Sequence, residues 1–111
     1  MQTQHTQYKR SDLLKVSGRV DSATSPQFAD AINAILDAGR FKIIIDMSEV
    51  EFISSAGLRV LVNAQKVCKR YNRGEIVLSN LPPKIYSAMD LAGFTTLFKI
   101  FDDVLTAVGN F

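Results

Sequence analysis

Two adjacent serines, Ser54 and Ser55, are the residues of this chain whose position favours chemistry. They follow an apolar run and precede residues 56–71, where apolar side chains recur at helical spacing. A serine at a helix start can cap the free N–H groups of the first turn, act as a nucleophile, or accept a phosphoryl group.

A nucleophilic serine needs a positioned base, and the sequence supplies none. The only histidine, His5, lies in a polar N-terminal stretch, and the residues around Ser55 do not form the G-x-S-x-G turn of hydrolases. We therefore expect no enzyme activity. The single cysteine, Cys68, is distant from His5 and lies at an apolar helical position, so we expect core packing and no metal site. No GxxxxGK[ST] segment is present, and no cofactor is expected.

A phosphoryl group at a helix start would be stabilised by the N–H groups and the helix dipole. It would add close to two negative charges, about −2 at neutral pH, beside acidic residues such as Asp21, Asp46 and Glu49. An interface centred there would weaken. The residues alone leave capping and phosphate acceptance open for both serines.

The elements that position these serines alternate between strand and helix patterns. Residues 41–47 contain three consecutive isoleucines and predict a strand buried on both faces, ended by Asp46 and followed by a short connection over 48–54. Other strands are predicted near 13–18, 75–78 and 97–101, with an edge strand or a frayed segment at 1–10. Helices are predicted from Ser25, over 56–71, after Pro83 with Ile85, Met89 and Leu91 on its apolar side, and near 104–108.

This alternation indicates an α/β fold with a mostly parallel sheet of four to five strands covered by about four helices. The 111 residues fit one domain spanning 1–111. A net charge of +2 without a dense Lys/Arg run disfavours nucleic acid. No signal segment or membrane-spanning run is present, and no long exposed apolar pattern. We therefore expect a cytoplasmic monomer.

The segment Phe52–Leu61, FISSAGLRVL, resembles the signature of STAS domains, in particular the bacterial anti-sigma-factor antagonists. Three further pieces occur in the order and spacing of the family. They are the turn Gly18-Arg-Val-Asp21, the central strand Ile43-Ile-Ile-Asp46, and a C-terminal pattern at 91–94 and 97–101. The resemblance covers nearly the whole chain, which is identified as a member of this family.

The resemblance implies that Ser55 is the phosphorylated residue, with Ser54 as the alternative. The family commonly has Asp where this chain has Ser54, and Ser or Thr where it has Ala56. Losing that Asp removes a negative charge and places a second hydroxyl beside the acceptor. Around it, we expect an acceptor pocket made of Asp21, Asp46, Ser54 and Gly57.

The resemblance also implies a partner-switching cycle. The unmodified protein would bind an anti-sigma factor that is also a serine kinase, phosphorylation of Ser55 would release it, and a PP2C-type phosphatase would restore it. Helical spacing puts a polar stripe on one face, either a solvated surface or the docking face: Arg59, Asn63, Lys66 and Arg70. The alternative function is a STAS interaction module in a stressosome, a chemotaxis-linked signalling complex or a lipid-transport complex.

Overall fold

The computed structural model describes all residues, Met1–Phe111. Five strands form one sheet in the order β1-β2-β3-β4-β5, in which β1 is antiparallel to β2 and all other neighbours are parallel. The predicted α/β class and mostly parallel sheet are confirmed. The elements are β1 Gln2–Gln7, β2 Asp12–Val20, α1 Ser25–Asp37, β3 Lys42–Ile53, α2 Ser55–Lys69, β4 Glu75–Ser79, α3 Pro83–Leu91, β5 Lys99–Phe101 and α4 Val104–Gly109.

The central strand β3 is buried on both faces, as its isoleucine run predicts. Ile43 and Ile45 point into the main core, which α1, α2 and α3 cover, while Ile44 points to the opposite face and packs with Val77 and Ala107. All three isoleucines are 0% exposed. Burying such a side chain contributes roughly 2 kcal/mol, so this strand anchors the elements on both sides of the sheet.

Strand β3 is longer than predicted, and the expectation that Asp46 ends it was wrong. Pairing with β4 stops at Asp46, but β3 continues to Ile53 beside β2, which itself runs through Gly18 to Val20. The outer part of β3 has only one neighbouring strand, and its polar residues Ser48, Glu49 and Glu51 are exposed. That pattern resembles a connection, although the backbone remains extended.

The buried carboxylate of Asp12 holds the beginning of β2 to its neighbours. Asp12 is 0% exposed, and its carboxylate accepts hydrogen bonds from Arg40 and, at 2.6 Å, contacts Nε2 of His5. Arg40 also donates to the carbonyl oxygens of Tyr8 and Ser11. His5 is exposed, as its polar surroundings in the sequence suggest, but its ring also joins β1 to the buried carboxylate of Asp12.

Helix α3 buries Ile85 and Met89, but Leu91 is 92% exposed. Two residues advance an α-helix by roughly 200°, so Leu91 lies on the opposite side from Met89. The prediction that Leu91 belongs to the apolar side was wrong. No helix in the structure is both long enough and apolar enough to cross a membrane.

Candidate functional site

The two serines lie where the carboxyl ends of β2 and β3 meet the start of α2. The backbone N–H of Ser54 donates to the carbonyl of Val20 at 2.8 Å, which fixes the end of β3 against the end of β2. Ser54 is the N-cap residue of α2, with extended backbone, and its Oγ accepts the N–H of Gly57 at 3.3 Å. The Ser54 hydroxyl is thus used as a helix cap.

Ser55 is the first residue of α2 and is exposed. Its side chain makes none of the hydrogen bonds found within the protein. The hydroxyl therefore faces solvent at the positive end of the helix dipole. The only histidine is held by Asp12 at the opposite end of β2, so no imidazole base is positioned beside Ser55.

Gly57 allows the first turn of α2 to sit directly on the sheet. A Cβ atom at this position would lie 2.8 Å from Cγ1 of both Val20 and Ile53, closer than real side-chain contacts. Val20 and Ile53 are β-branched and restricted at χ1, so their side chains cannot easily rotate away from an added Cβ atom. The close approach of Gly57 is therefore to the sheet, and its Cα faces away from solvent.

Asp21 lies immediately after β2, one residue beyond the carbonyl that holds Ser54. Its carboxylate accepts backbone N–H bonds from Ala23 and Thr24 at 3.0 and 3.1 Å. The hydrogen bond from the Thr24 backbone is the largest cause holding the pKa of Asp21 below 3.8. Asp21 thus contributes a fixed negative charge near the start of α2. It also organises the start of α1, where Thr24 precedes the helix without a side-chain cap.

Asp46 is not brought beside Ser55. Ser54 follows Asp46 by eight positions, roughly 25 Å along an extended chain at about 3.3 Å per residue. Asp46 is 8% exposed, and its carboxylate accepts the N–H of Ser48 at 3.0 Å. Because β3 does not end at Asp46, the expectation that this carboxylate lies at a strand end near the serine was wrong.

The polar stripe of α2 is partly as predicted. Arg59, Asn63 and Lys66 are exposed along the helix, whereas α2 ends at Lys69 and Arg70 is exposed beyond it, in extended backbone. Beside Lys66 lies a hollow of about 300 Å³ between α2 and the turn at Thr95–Leu97. The surface that begins at Ser55 therefore combines two cations with a partly apolar depression.

Sequence reasoning missed two features near this surface. Arg19 lies 4.4 Å from the ring centroid of Phe52, which is 38% exposed, so the two side chains form a cation–π pair beside the serines. Gln65 is buried and bonds the backbone of Ile76 and Leu97. A polar residue among the apolar positions of α2 was the available signal for Gln65. No group of three or more His, Cys, Asp or Glu side chains is arranged to hold a metal ion.

Comparison with known proteins gives a consistent result. The family model for the STAS domain matches residues 4–107. The chain is 30% identical, over 86% of its length and 82% of the relative, to BtrV of Bordetella bronchiseptica, which is named as a candidate anti-sigma factor antagonist. It is 27% identical, over 86% and 80%, to the anti-sigma-F factor antagonist RsfB of Mycobacterium tuberculosis. A crystal structure of a candidate anti-sigma factor antagonist from Thermotoga maritima superposes with a TM-score of 0.89 at 22% identity, covering 97% of this chain and 92% of that one.

Proposed function

Because the chain belongs to the STAS domain family, we propose that it is an anti-sigma-factor antagonist whose binding is controlled by phosphorylation of Ser55. The unphosphorylated form binds an anti-sigma factor that is also a serine kinase, and this frees the sigma factor. Phosphorylation releases the antagonist, and a PP2C-type phosphatase restores it. The protein itself is a cytoplasmic, monomeric switch and not an enzyme.

The different structural roles of the two serines support this proposal most directly. Ser54 uses its hydroxyl to cap α2, while Ser55 is exposed and its hydroxyl is free. A phosphoryl group on Ser55 would meet the N-terminal N–H groups of α2 without displacing the cap. We therefore propose Ser55, and not Ser54, as the acceptor.

The charge change explains how modification would release a partner. A phosphoryl group on Ser55 adds about −2 at neutral pH at the sheet edge that also carries the ionised carboxylate of Asp21, whose pKa is lowered by its hydrogen bonds from Thr24. The fold stays intact because the helix start tolerates the charge, but a partner docked over Ser55 would face a new desolvation and repulsion cost.

The partner surface extends from Ser55 along the exposed side of α2. Arg59, Asn63 and Lys66 supply polar contacts, and the Arg19–Phe52 pair adds an exposed aromatic ring at the side. Arg and aromatic residues are enriched where partners bind tightly. Arg70, which lies beyond the helix, would be at the margin of this surface.

The proposal is tested with the kinase-type anti-sigma factor from the same genome, purified and mixed with ATP and each variant. We expect mass spectrometry to find phosphate on Ser55 in the wild type and in Ser54→Ala, and none in Ser55→Ala. Binding by calorimetry should be retained in Ser55→Ala and weakened at least about tenfold in Ser55→Asp.

Phosphate on Ser54 alone would contradict the choice of acceptor. Equal binding of the wild type, Ser55→Ala and Ser55→Asp would contradict the switch, and would leave Ser55 as an ordinary helix residue. Failure of all three to bind the anti-sigma factor would favour the alternative, a STAS interaction module of a stressosome, chemotaxis-linked signalling or lipid-transport complex.

A further inference from the structure

The end of the sheet opposite Ser55 carries a concentration of positive charge. Strands β2, β3 and β4 are parallel, so the loops before them meet at one edge, which also receives the end of α2. We call this surface the basic face and define it by six residues: Arg10, Lys42, Lys69, Arg70, Tyr71 and Arg73.

Four of the five cations on the basic face have no partner within the protein. The salt bridges of the structure involve His5, Lys15, Arg40 and Lys99, and none of them uses Arg10, Lys42, Lys69 or Arg70. Side chains of like charge at one edge repel each other and favour an oppositely charged ligand. The chain as a whole has a net charge of only +2, so this charge is local.

Two hollows on the basic face have Lys42 in common among their lining residues. One, of about 160 Å³, is lined by Arg10, Arg40, Lys42 and Arg73, with Asp12 as its only acidic residue. The other, of about 410 Å³, is lined by Lys42 and Lys69, with Glu75 and the ring of Phe111. An extended ligand with several acidic groups and some apolar character matches this lining.

Tyr71 is exposed on the basic face in an unfavourable backbone conformation. It is 85% exposed, and both Tyr71 and Asn72 have left-handed backbone, with φ of 60° and 55°. Glycine would adopt this conformation at lower cost, so folding alone does not explain a tyrosine here. Arg73 lies between the rings of Phe41 and Tyr71, at 4.0 and 5.9 Å from their centroids.

A purely structural role accounts for only part of this surface. The carbonyl end of α2 favours nearby cations, and Arg73 donates to the carbonyls of Val67 and Arg70. Interaction with the carbonyl end of α2 explains the positions of Lys69 and Arg73. It does not explain Arg10 and Lys42, which lie outside α2, or the exposed ring of Tyr71.

We propose that the basic face is a second docking surface, which binds an acidic segment of a partner protein independently of Ser55. Charge complementarity fits aspartate and glutamate side chains, and Tyr and Arg are the residue types that anchor protein partners. A nucleic acid would need a broader basic surface with several stacking rings, whereas Tyr71 is the single strongly exposed ring at this edge.

The test uses a short fluorescein-labelled peptide rich in Asp, Glu and Leu, titrated with the full chain and followed by fluorescence anisotropy. We expect binding at low ionic strength that weakens at about 0.15 M salt. The double variant Lys42→Gln/Lys69→Gln should bind about tenfold more weakly. The control Lys15→Gln/Lys84→Gln removes the same charge elsewhere and should bind within about twofold of the wild type, as should Ser55→Asp.

Tyr71→Gly separates a docking role from a structural one. Glycine relieves the left-handed backbone, so the thermal midpoint should be unchanged or higher, while peptide affinity should fall about fivefold. Three results would overturn the proposal: no peptide binding at low ionic strength, equal weakening in the control pair, or tighter binding of a single-stranded oligonucleotide of matched charge that displaces the peptide.

Discussion

The two ends of helix α2 are held in opposite ways. At its start, Ser54 makes one cap bond of 3.3 Å, Gly57 packs its bare Cα on the sheet, and Ser55 is exposed. In its second half, the buried amide of Gln65 makes three hydrogen bonds to Ile76 and Leu97, and Cys68 is 0% exposed. The start is thus fixed mainly by backbone geometry, and the second half by side chains.

If Ser55 is phosphorylated as proposed, this difference would let α2 accept the new charge without moving. At the start, the hydroxyl of Ser55 is not needed for folding, so it is available for modification. In the second half, the buried side chains of Gln65 and Cys68 are fixed against the sheet. Burial raises the pKa of the Cys68 thiol to about 11, although the nearby Arg73 lowers it, and the thiolate is therefore scarce at neutral pH. Substitutions at the two ends of α2 should therefore differ in how much they lower the free energy of unfolding.

Gln65→Leu should cause the largest loss. The Gln65 amide bonds both the N–H and the C=O of Ile76. Ile76 lies one residue before Val77, where pairing of β4 with β5 begins, so the amide supplies the hydrogen bonds that a neighbouring strand would make. Leucine would leave these buried groups unpaired, at a cost of about 3 kcal/mol in the free energy of unfolding. Urea denaturation measures this.

Asn63→Leu is the matched control for Gln65→Leu, because it makes a similar change at an exposed position of the same helix. We expect a change within about 0.5 kcal/mol. Equal effects of the two substitutions would show that the second half of α2 is not anchored by the Gln65 amide.

Gly57→Ala should cost about 2 kcal/mol, because the new methyl group would overlap Val20 and Ile53 at the start of α2. Gly109→Ala in α4 is the control, since a Cβ there meets nothing within 4 Å. Thermal denaturation of both variants measures the difference in stability between them. A stabilised Gly57→Ala would mean that the first turn does not sit tightly on the sheet.

The sequence predicts the order of elements and the central strand well, because Ile43–Ile45 and the helical spacings report local structure. The prediction fails where a contact with another strand determines the local structure. The outer half of β3 pairs only with β2, so Glu49 and Glu51 make it look like a loop, and Asp46 was misplaced with it. The contact between His5 and Asp12 joins two strands and leaves no local signal.

The division of roles between the serines was also beyond the sequence. Ser54 becomes the cap because its N–H is held by the carbonyl of Val20, in a strand more than thirty residues earlier. Similarly, Arg70 falls outside α2 because its own backbone is extended and the next residue, Tyr71, is left-handed, and helical spacing cannot report that. Both features depend on tertiary contacts or backbone strain, which a pattern of residue types does not encode.

Ser54→Ala should destabilise the protein by about 1 kcal/mol, the usual cost of losing a helix cap. Ser55→Ala should change stability by no more than about 0.3 kcal/mol, because its hydroxyl makes no bond that folding requires. Chemical denaturation of the pair compares neighbouring hydroxyls at the same helix start. A larger loss from Ser55→Ala would mean that the two roles are reversed.

Asp21→Asn should have a small effect, and one that depends on pH. Because hydrogen bonds from Thr24 lower the pKa of Asp21 below 3.8 in the folded protein, the carboxylate stabilises the fold above that value. This contribution is lost as the pH falls through the lowered pKa. Asn keeps an acceptor oxygen but no charge, so the variant should be less stable than the wild type near neutral pH, and the two should converge in acid. Urea midpoints measured across that range would show the convergence, and a constant difference would mean that the charge of Asp21 plays no part in holding the turn beside Ser55.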